Sequence, residues 1–421
     1  MQRLLAPIPL WKSRKAECGA GKFFVDVMVR AASFGLFSFA AAGCVRADTF
    51  LVLPFFNVSK TPNLDWIGES LSETVREALA AEGIVALERV DREEAYRRLS
   101  LRPYALLTRA TVIKAGQALD AEQVVYGTFD LVPSVVTQSR GTIRFTANLL
   151  DLKHLAQGPE FREEGPLEDL AAIESRLAWH VLRAVNTAAA PSAKEFQKRH
   201  PPVRVDAVEN YVRGLLAAAP EEKHRFFTQA VRLDNNYSQP CFELGRLHWQ
   251  KQEYRLAAEW LQRVAAGDVH FHEASFLLGL SRYHTGDFAG AQAAFQKVED
   301  EVPLSEVYNN LGAAQSRRNL PQALENFRKA LEGDSSDPDY HFNTGYALWK
   351  QGDFSAAAAH FETVLSKTPE DPTAALLLSH CRSKSGSRPG DTATEGLERL
   401  KNNYEESAYL QLRALVQGAK P

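Results

Sequence analysis

Hydrophobic positions follow two periods, one over residues 48–190 and another beyond 203. Residues 49–54 are an apolar run, Phe50, Leu51, Val52 and Leu53, closed by Pro54. A short run bounded by a turn residue predicts a buried strand. Residues 55–59 read as a loop, with Phe55 and Phe56 more in keeping with core than with a ligand site. Over 66–82 the apolar residues fall at Ile67, Leu71, Val75, Ala78 and Leu79, and Gly83 follows. That is helical spacing with a stop signal. A second strand is expected at 84–87, a helix capped by Asp91 through 99, and another helix at 108–119. Residues 123–131 and 141–152 predict strands joined by a polar loop, a hairpin with room for a further strand. An amphipathic helix over 167–185 closes the region. The order β-α-β-α-α-β-β-(β)-α implies an α/β (α+β) domain, a mixed sheet with helices packed on it.

Beyond 203 the pattern is helical and repeats. Gly245, Gly279, Gly312 and Gly345 recur at intervals of 34, 33 and 33 residues. Twelve residues on stands a small residue: Ala257, Ala291, Ala357, and Ala323 one place early. A bulky apolar residue follows at Leu261, Phe295, Phe327 and Phe361, and Pro303 and Pro369 close two units. The glycine suits a first helix where a neighbour comes too close for a side chain. The alanine marks the crossing of the second helix on the first, and the phenylalanine fills the space between. Gly286-Asp287 and Gly352-Asp353 supply a helix stop and an N-cap. The third unit replaces this turn with residues 318–321 and is one residue shorter there.

These residues resemble the tetratricopeptide repeat: Leu244, Gly245, Ala257 and Leu261; Leu278, Gly279, Ala291, Phe295 and Pro303; Leu311, Gly312, Ala323 and Phe327; Thr344, Gly345, Ala357, Phe361 and Pro369. A degenerate unit precedes them, with Tyr211, Gly214, Phe226, Phe227 and Ala230 around a turn shortened at Pro220. After Pro372 the register decays. Residues 374–381 read as one more first helix, 383–390 as a flexible break, and 394–417 as a pair of polar-faced helices suited to cap a solenoid. The resemblance implies an all-α solenoid that presents a binding surface. It places Phe242, Arg246, Trp249, Phe276, Tyr283, His284, Asn309, Arg317, Phe342, Tyr346, Trp349 and Lys350 on the concave face. Trp249 and Trp349 read equally as groove or inter-repeat core, and Phe276 as core. The family's clamp for a terminal carboxylate needs Lys and Asn at positions that here are mostly Phe and Arg, so that specificity is not supported. The expected ligand is a protein or peptide partner, extended or helical, with apolar anchors and acidic character.

A second resemblance covers residues 48–190. The stretch from Val52 to Ser59, the stretch from Asp65 to Leu71, and the strands around Val124–Thr128 and Thr146–Asp151 look like the N-terminal α/β domain of TolB-type and FlgO-type envelope proteins. No propeller repeat follows, so the TolB role in envelope constriction does not carry over.

Arg30 followed by the apolar and small residues of 31–42 resembles a bacterial secretory signal peptide. The run is short for a stable membrane span. Met28 is the only methionine besides Met1 and is the expected start. Two processing sites compete. Ala47 before Asp48 fits ordinary cleavage, whereas residues 41–44 look like a lipobox that would make Cys44 a lipidation site. Either places the chain in the periplasm, soluble or anchored by that lipid alone. The expected organisation is 1–47 extension and signal, 48–190 α/β domain, 191–203 linker, 204–381 solenoid of about five repeats, and 382–421 break and capping helices.

Composition adds exclusions. With 24% charged residues and a net charge of -3, no basic excess points to nucleic acid or an acidic membrane surface. Cys241 and Cys381 fall on first helices of distant repeats and read as small buried residues rather than a disulfide. No phosphate-cradling loop or nucleophile elbow is present. His270 and His272, two apart, cannot share a helix face as metal ligands. No catalytic residue, metal or cofactor is therefore expected. The function expected is a non-catalytic scaffold of the cell envelope that binds a partner through the repeat groove. The alternative is an envelope assembly or sensory subunit docking mainly through its α/β domain; an enzyme with an unrecognised site ranks third. Partner identity and oligomeric state stay open.

Overall fold

The computed structural model describes residues 48–59, 61–134, 140–186, 190–199, 201, 203–388, 390–406 and 409. The signal run, Met28, Cys44 and most of 407–421 lie outside the described residues.

Six strands form one mixed sheet: β1 (Thr49–Val52), β2 (Phe56–Asn57), β3 (Val85–Ala86), β4 (Gln123–Val132), β5 (Thr142–Asp151) and β6 (Ala156–Pro166). The order is β3-β1-β4-β5-β6, with β2 beside the far end of β4. β1 lies parallel to both β3 and β4, whereas β4, β5 and β6 run antiparallel. The apolar run of β1 follows from burial on both faces. Phe50 and Val52 meet α1 (Asp65–Ala81) and α4 (Leu170–Val185). Leu51 and Leu53 meet α2 (Arg89–Arg98) and α3 (Arg109–Ala118) on the other side. The hairpin and the extra strand after it form as the pattern implies. β2 is the exception, since its two residues lay within a segment read as loop. Phe55 ahead of it is buried beneath Gly68, where a Cβ would stand 2.0 Å from the Phe55 carbonyl oxygen.

The segment expected as a linker is packed. It contains α5 (Ala193–Arg199), whose Phe196 is buried, and Trp179 Nε1 donates to the Pro191 carbonyl at 2.9 Å.

Five helix pairs follow: α6 (Val205–Leu216) with α7 (Pro220–Leu233), α8 (Ser238–Gln250) with α9 (Tyr254–Leu261), α10 (Phe271–His284) with α11 (Phe288–Glu299), α12 (Ser305–Arg317) with α13 (Gln322–Gly333), and α14 (Pro338–Lys350) with α15 (Phe354–Lys367). A single helix, α16 (Pro372–Arg382), packs on the last pair. The repeat glycines face the bulky residue of their own unit. A Cβ would lie 2.5 Å from Leu261 at Gly245, 2.6 Å from Phe295 at Gly279, 2.8 Å from Phe327 at Gly312 and 3.2 Å from Phe361 at Gly345. Gly214 meets Phe227 in the same way, which makes the degenerate first unit a true member of the series. Seven residues after each of the four later glycines the backbone turns left-handed, at Gln252, Gly286, Asn319 and Gly352. The third turn keeps this geometry with asparagine in place of glycine.

The α/β domain and the first repeats share one continuous core. Helix α1 packs on α6, Gln239 donates to Glu77, and Arg89 donates to the Leu215 carbonyl.

A further sequence expectation fails at the C-terminal end. Residues 397–405 form no helix; the chain there runs extended along the inner helices of the repeats. Their main-chain groups pair with asparagine side chains instead of with one another.

Candidate functional site

The inner helices bring Asn309, Asn310 and Asn343 to one line on the concave face, all fully buried. Asn310 on α12 and Asn343 on α14 each stand two residues before a repeat glycine. Asn343 Oδ1 accepts from the Arg399 amide at 2.8 Å, and its Nδ2 donates to the Arg399 carbonyl at 2.7 Å. Asn310 does the same for Lys401, at 2.8 Å and 2.7 Å. Asn309 adds a donor to the Arg399 carbonyl at 2.8 Å and accepts from Asn343 Nδ2 at 2.7 Å. Alternate residues of an extended chain face the same side. Asn310 and Asn343, from two successive repeats, therefore read alternate residues of the segment, which runs opposite to the order of the repeats.

The side chains of the segment fill separate pockets. Glu398 accepts from Ser316 Oγ at 2.7 Å and from the Tyr283 hydroxyl at 3.3 Å. Lys350 Nζ donates to the Ser316 carbonyl at 3.0 Å beside it. The Arg399 guanidinium lies 3.7 Å from the Phe342 ring centre and pairs with Asp371 and, at 3.5 Å, with Asp339. Lys401 pairs with Asp337 at 2.8 Å and Asp339 at 2.7 Å. The Tyr404 ring lies 4.6 Å from Phe276. Upstream, Tyr346 donates to the Thr394 carbonyl at 2.8 Å, and Trp349 Nε1 to the Ser385 carbonyl at 2.8 Å. Gly396 passes Arg317 so closely that a Cβ would fall 2.0 Å from Nη1.

Electrostatics match these contacts. Burial opposes the charge on Lys401, but the bonds to Asp337 and Asp339 outweigh it and raise its pKa. Burial likewise opposes the Asp371 carboxylate, and the Ala374 amide and Arg399 together hold its pKa down. Lys350 is lowered by burial, which Glu398 counters in part. Burial pushes the Tyr346 hydroxyl up to about 12.

The expected groove residues divide. Tyr283, Asn309, Phe342 and Tyr346 touch residues 394–404, Trp349 touches Ser385 upstream of them, and Arg317 and Lys350 stand beside the segment. Trp349 is buried and donates to the Ser385 carbonyl. Phe242 is buried beneath His270, stacked at 4.3 Å, with Arg246 5.4 Å from its ring centre. Trp249 and His284 form an aromatic cluster with Tyr254 away from the segment. Phe276 is buried, with Tyr404 on its face. Reading the residue three before each glycine missed Asn310, Asn343, Asp337, Asp339 and Asp371. The signal was there: two asparagines in identical register among apolar neighbours, 33 residues apart. Asp337, Asp339 and Asp371 meet two cations of the chain's own segment, Arg399 and Lys401, whereas the sequence reading expected an acidic ligand.

His270 and His272 serve different partners, Glu77 at 3.8 Å and Glu406 at 2.7 Å. Cys241 and Cys381 are buried and free. Among the described residues no three His, Cys, Asp or Glu side chains are grouped to hold a metal ion, and no helix is long and apolar enough to cross a membrane. Between the α/β domain and α6 a cavity of about 600 Å³ is lined by Trp66, Glu69, Arg89, Arg92 and Tyr104 from the domain and by Arg213 and Leu216 from α6.

Residues 242–306 and 313–378 match the tetratricopeptide repeat family model. With the stacked helix pairs, this makes the second half of the chain a tetratricopeptide-repeat solenoid, a class of protein-interaction scaffold. Among solved structures the chain is similar to MamA from Desulfovibrio magneticus RS-1, at 23% identity over 38% of this chain and 92% of that one, with a TM-score of 0.34. It is also similar to YrrB, a TPR protein described as having an unusual peptide-binding site, at 17% identity over 45% of this chain and 96% of that one, with a TM-score of 0.38. No curated protein matches the chain.

Proposed function

We propose that this chain is a non-catalytic scaffold of the bacterial cell envelope that binds a protein partner as an extended peptide along the concave face of its repeats. The observation that carries the reading is the double hydrogen bonding of alternate main-chain residues by Asn310 and Asn343. That is peptide-recognition geometry, and it asks only that the ligand be extended. The envelope location rests on the signal-like run at 28–47 and the TolB-like and FlgO-like sequence of the α/β domain. Site-specific photo-crosslinkers at Tyr283 and Tyr346, in cells producing the full chain, test it. Partner adducts from these positions are expected in the periplasmic or membrane fraction. Adducts formed only from positions around Trp66 and Tyr104 would favour the second reading, docking through the α/β domain, which the cavity between it and α6 supports.

A further inference from the structure

We propose that residues 394–404 are a resident stand-in for the partner, and that the groove selects an extended basic peptide carrying an acid, an arginine, an apolar residue and a lysine in succession, with an aromatic three residues on. The inference rests on the scaffold reading above and adds the ligand's chemistry and the need for exchange.

Three observations carry it. First, the asparagine pairs bind main chain only, so the register of the segment is set by repeat geometry and any extended chain can take its place. An extended chain advances about 3.3 Å per residue, so the two residues between successive asparagines span about 7 Å, close to the 8–10 Å interaxial distance of packed helices.

Second, the pockets have opposite charge at defined steps. Ser316, Tyr283 and the nearby Lys350 receive an acid. One step on, Phe342, Asp339 and Asp371 receive a planar cation, and two steps beyond that Asp337 and Asp339 receive an ammonium. Phe276 offers a ring face for the aromatic.

Third, among the described residues no helix or strand lies within 397–405, so release of that stretch breaks no regular element there. The tether before it carries left-handed glycines at Gly390 and Gly396. Being tethered, the resident competes at an effective concentration of about millimolar, so a partner must either exceed that or meet a weakened segment.

The test uses the full chain and a fluorescent synthetic peptide of residues 391–406 as probe, followed by fluorescence anisotropy. The double variant Arg399→Ala/Lys401→Ala weakens the resident and leaves every groove residue in place. It should bind the probe at least tenfold more tightly than the unaltered chain, and adding Asn343→Ala should remove that gain. Glu398→Ala, which weakens the resident at the opposite pocket, should raise probe binding in the same direction. A probe with glutamate at both cationic positions should not bind. The inference is overturned if both variants keep the thermal transition of the unaltered chain yet bind the probe no better. It is also overturned if the weakened chain forms a dimer that the probe does not dissociate, since the occupant would then be a second copy. Groove crosslinks to a partner without probe binding would end this inference and leave the scaffold reading standing.

Discussion

A buried asparagine is costly unless its polar atoms are met, and Asn343 meets its own through the Arg399 main chain and Asn309. The repeat glycines are constrained in the opposite sense, by what they lack. At Gly279 an added methyl would press on the buried Phe295 ring at 2.6 Å, whereas at Gly345 the nearest atoms stand at 3.1 and 3.2 Å. Gly279→Ala should therefore destabilise the chain by about 1–3 kcal/mol, as overpacking does, and Gly345→Ala by clearly less. Urea unfolding of the two variants measures the difference; equal losses would refute the close-approach account. The glycine and its bulky apolar partner were legible because they recur in four units, as Leu261 in the first and phenylalanine in the other three. The asparagines were harder to read, because two units share them and a polar residue on an inner helix passes for groove surface. The aspartates lay outside the repeat-based positions altogether.

Among the elements, the periodic ones were legible: the apolar run of β1, the helical spacing of α1 and α4, and the five helix pairs all form. β2 was not, since two residues carry no period. The stretch 397–405 was misread for a different reason. Its pattern suits an amphipathic helix, but propensity is a weak prior that tertiary contacts override, and the inner helices offer its main chain better partners. Its far end is pH-sensitive. His272 has its pKa raised chiefly by the hydrogen bond to Glu406, with Glu301 also facing it. Tyr404, on the segment side, donates its hydroxyl to the same Glu406. A raised histidine pKa means that the stabilisation is fully present below the ordinary value of 6.5 and is lost as pH rises through the raised value. The segment should accordingly resist limited proteolysis better at pH 6 than at pH 8, and His272→Gln should erase the difference.

Across the molecule, the shared core joins the α/β domain to the repeats, and a cavity of about 610 Å³ lies where α1, α4 and the first two repeats meet. Glu174 lines it, fully buried, with one oxygen accepting from Ser70 at 2.9 Å and the other unpartnered. Burial raises its carboxyl from 4.5 to about 8. The folded state thus holds a proton that the unfolded state gives up, so this group's contribution is greatest below pH 4.5 and declines up to about pH 8. Glu174→Gln should gain stability relative to the unaltered chain between pH 5 and pH 8.5, on the order of 1–3 kcal/mol. Thermal melts across that range are the check, and parallel pH profiles would contradict it. Nothing in the sequence marked this carboxylate, because its burial depends on elements distant in the chain, its partner Ser70 lying 104 residues away.

The central claim is that the concave face holds an extended peptide by its main chain, and amide hydrogen exchange resolved by residue in the full chain tests it most directly. The account predicts slow exchange at Arg399 and Lys401, faster exchange at Leu400 between them, and loss of the Arg399 protection in Asn343→Ala. Uniform protection across 397–405, as in a helix, or exchange at the rate of a free peptide, would contradict it.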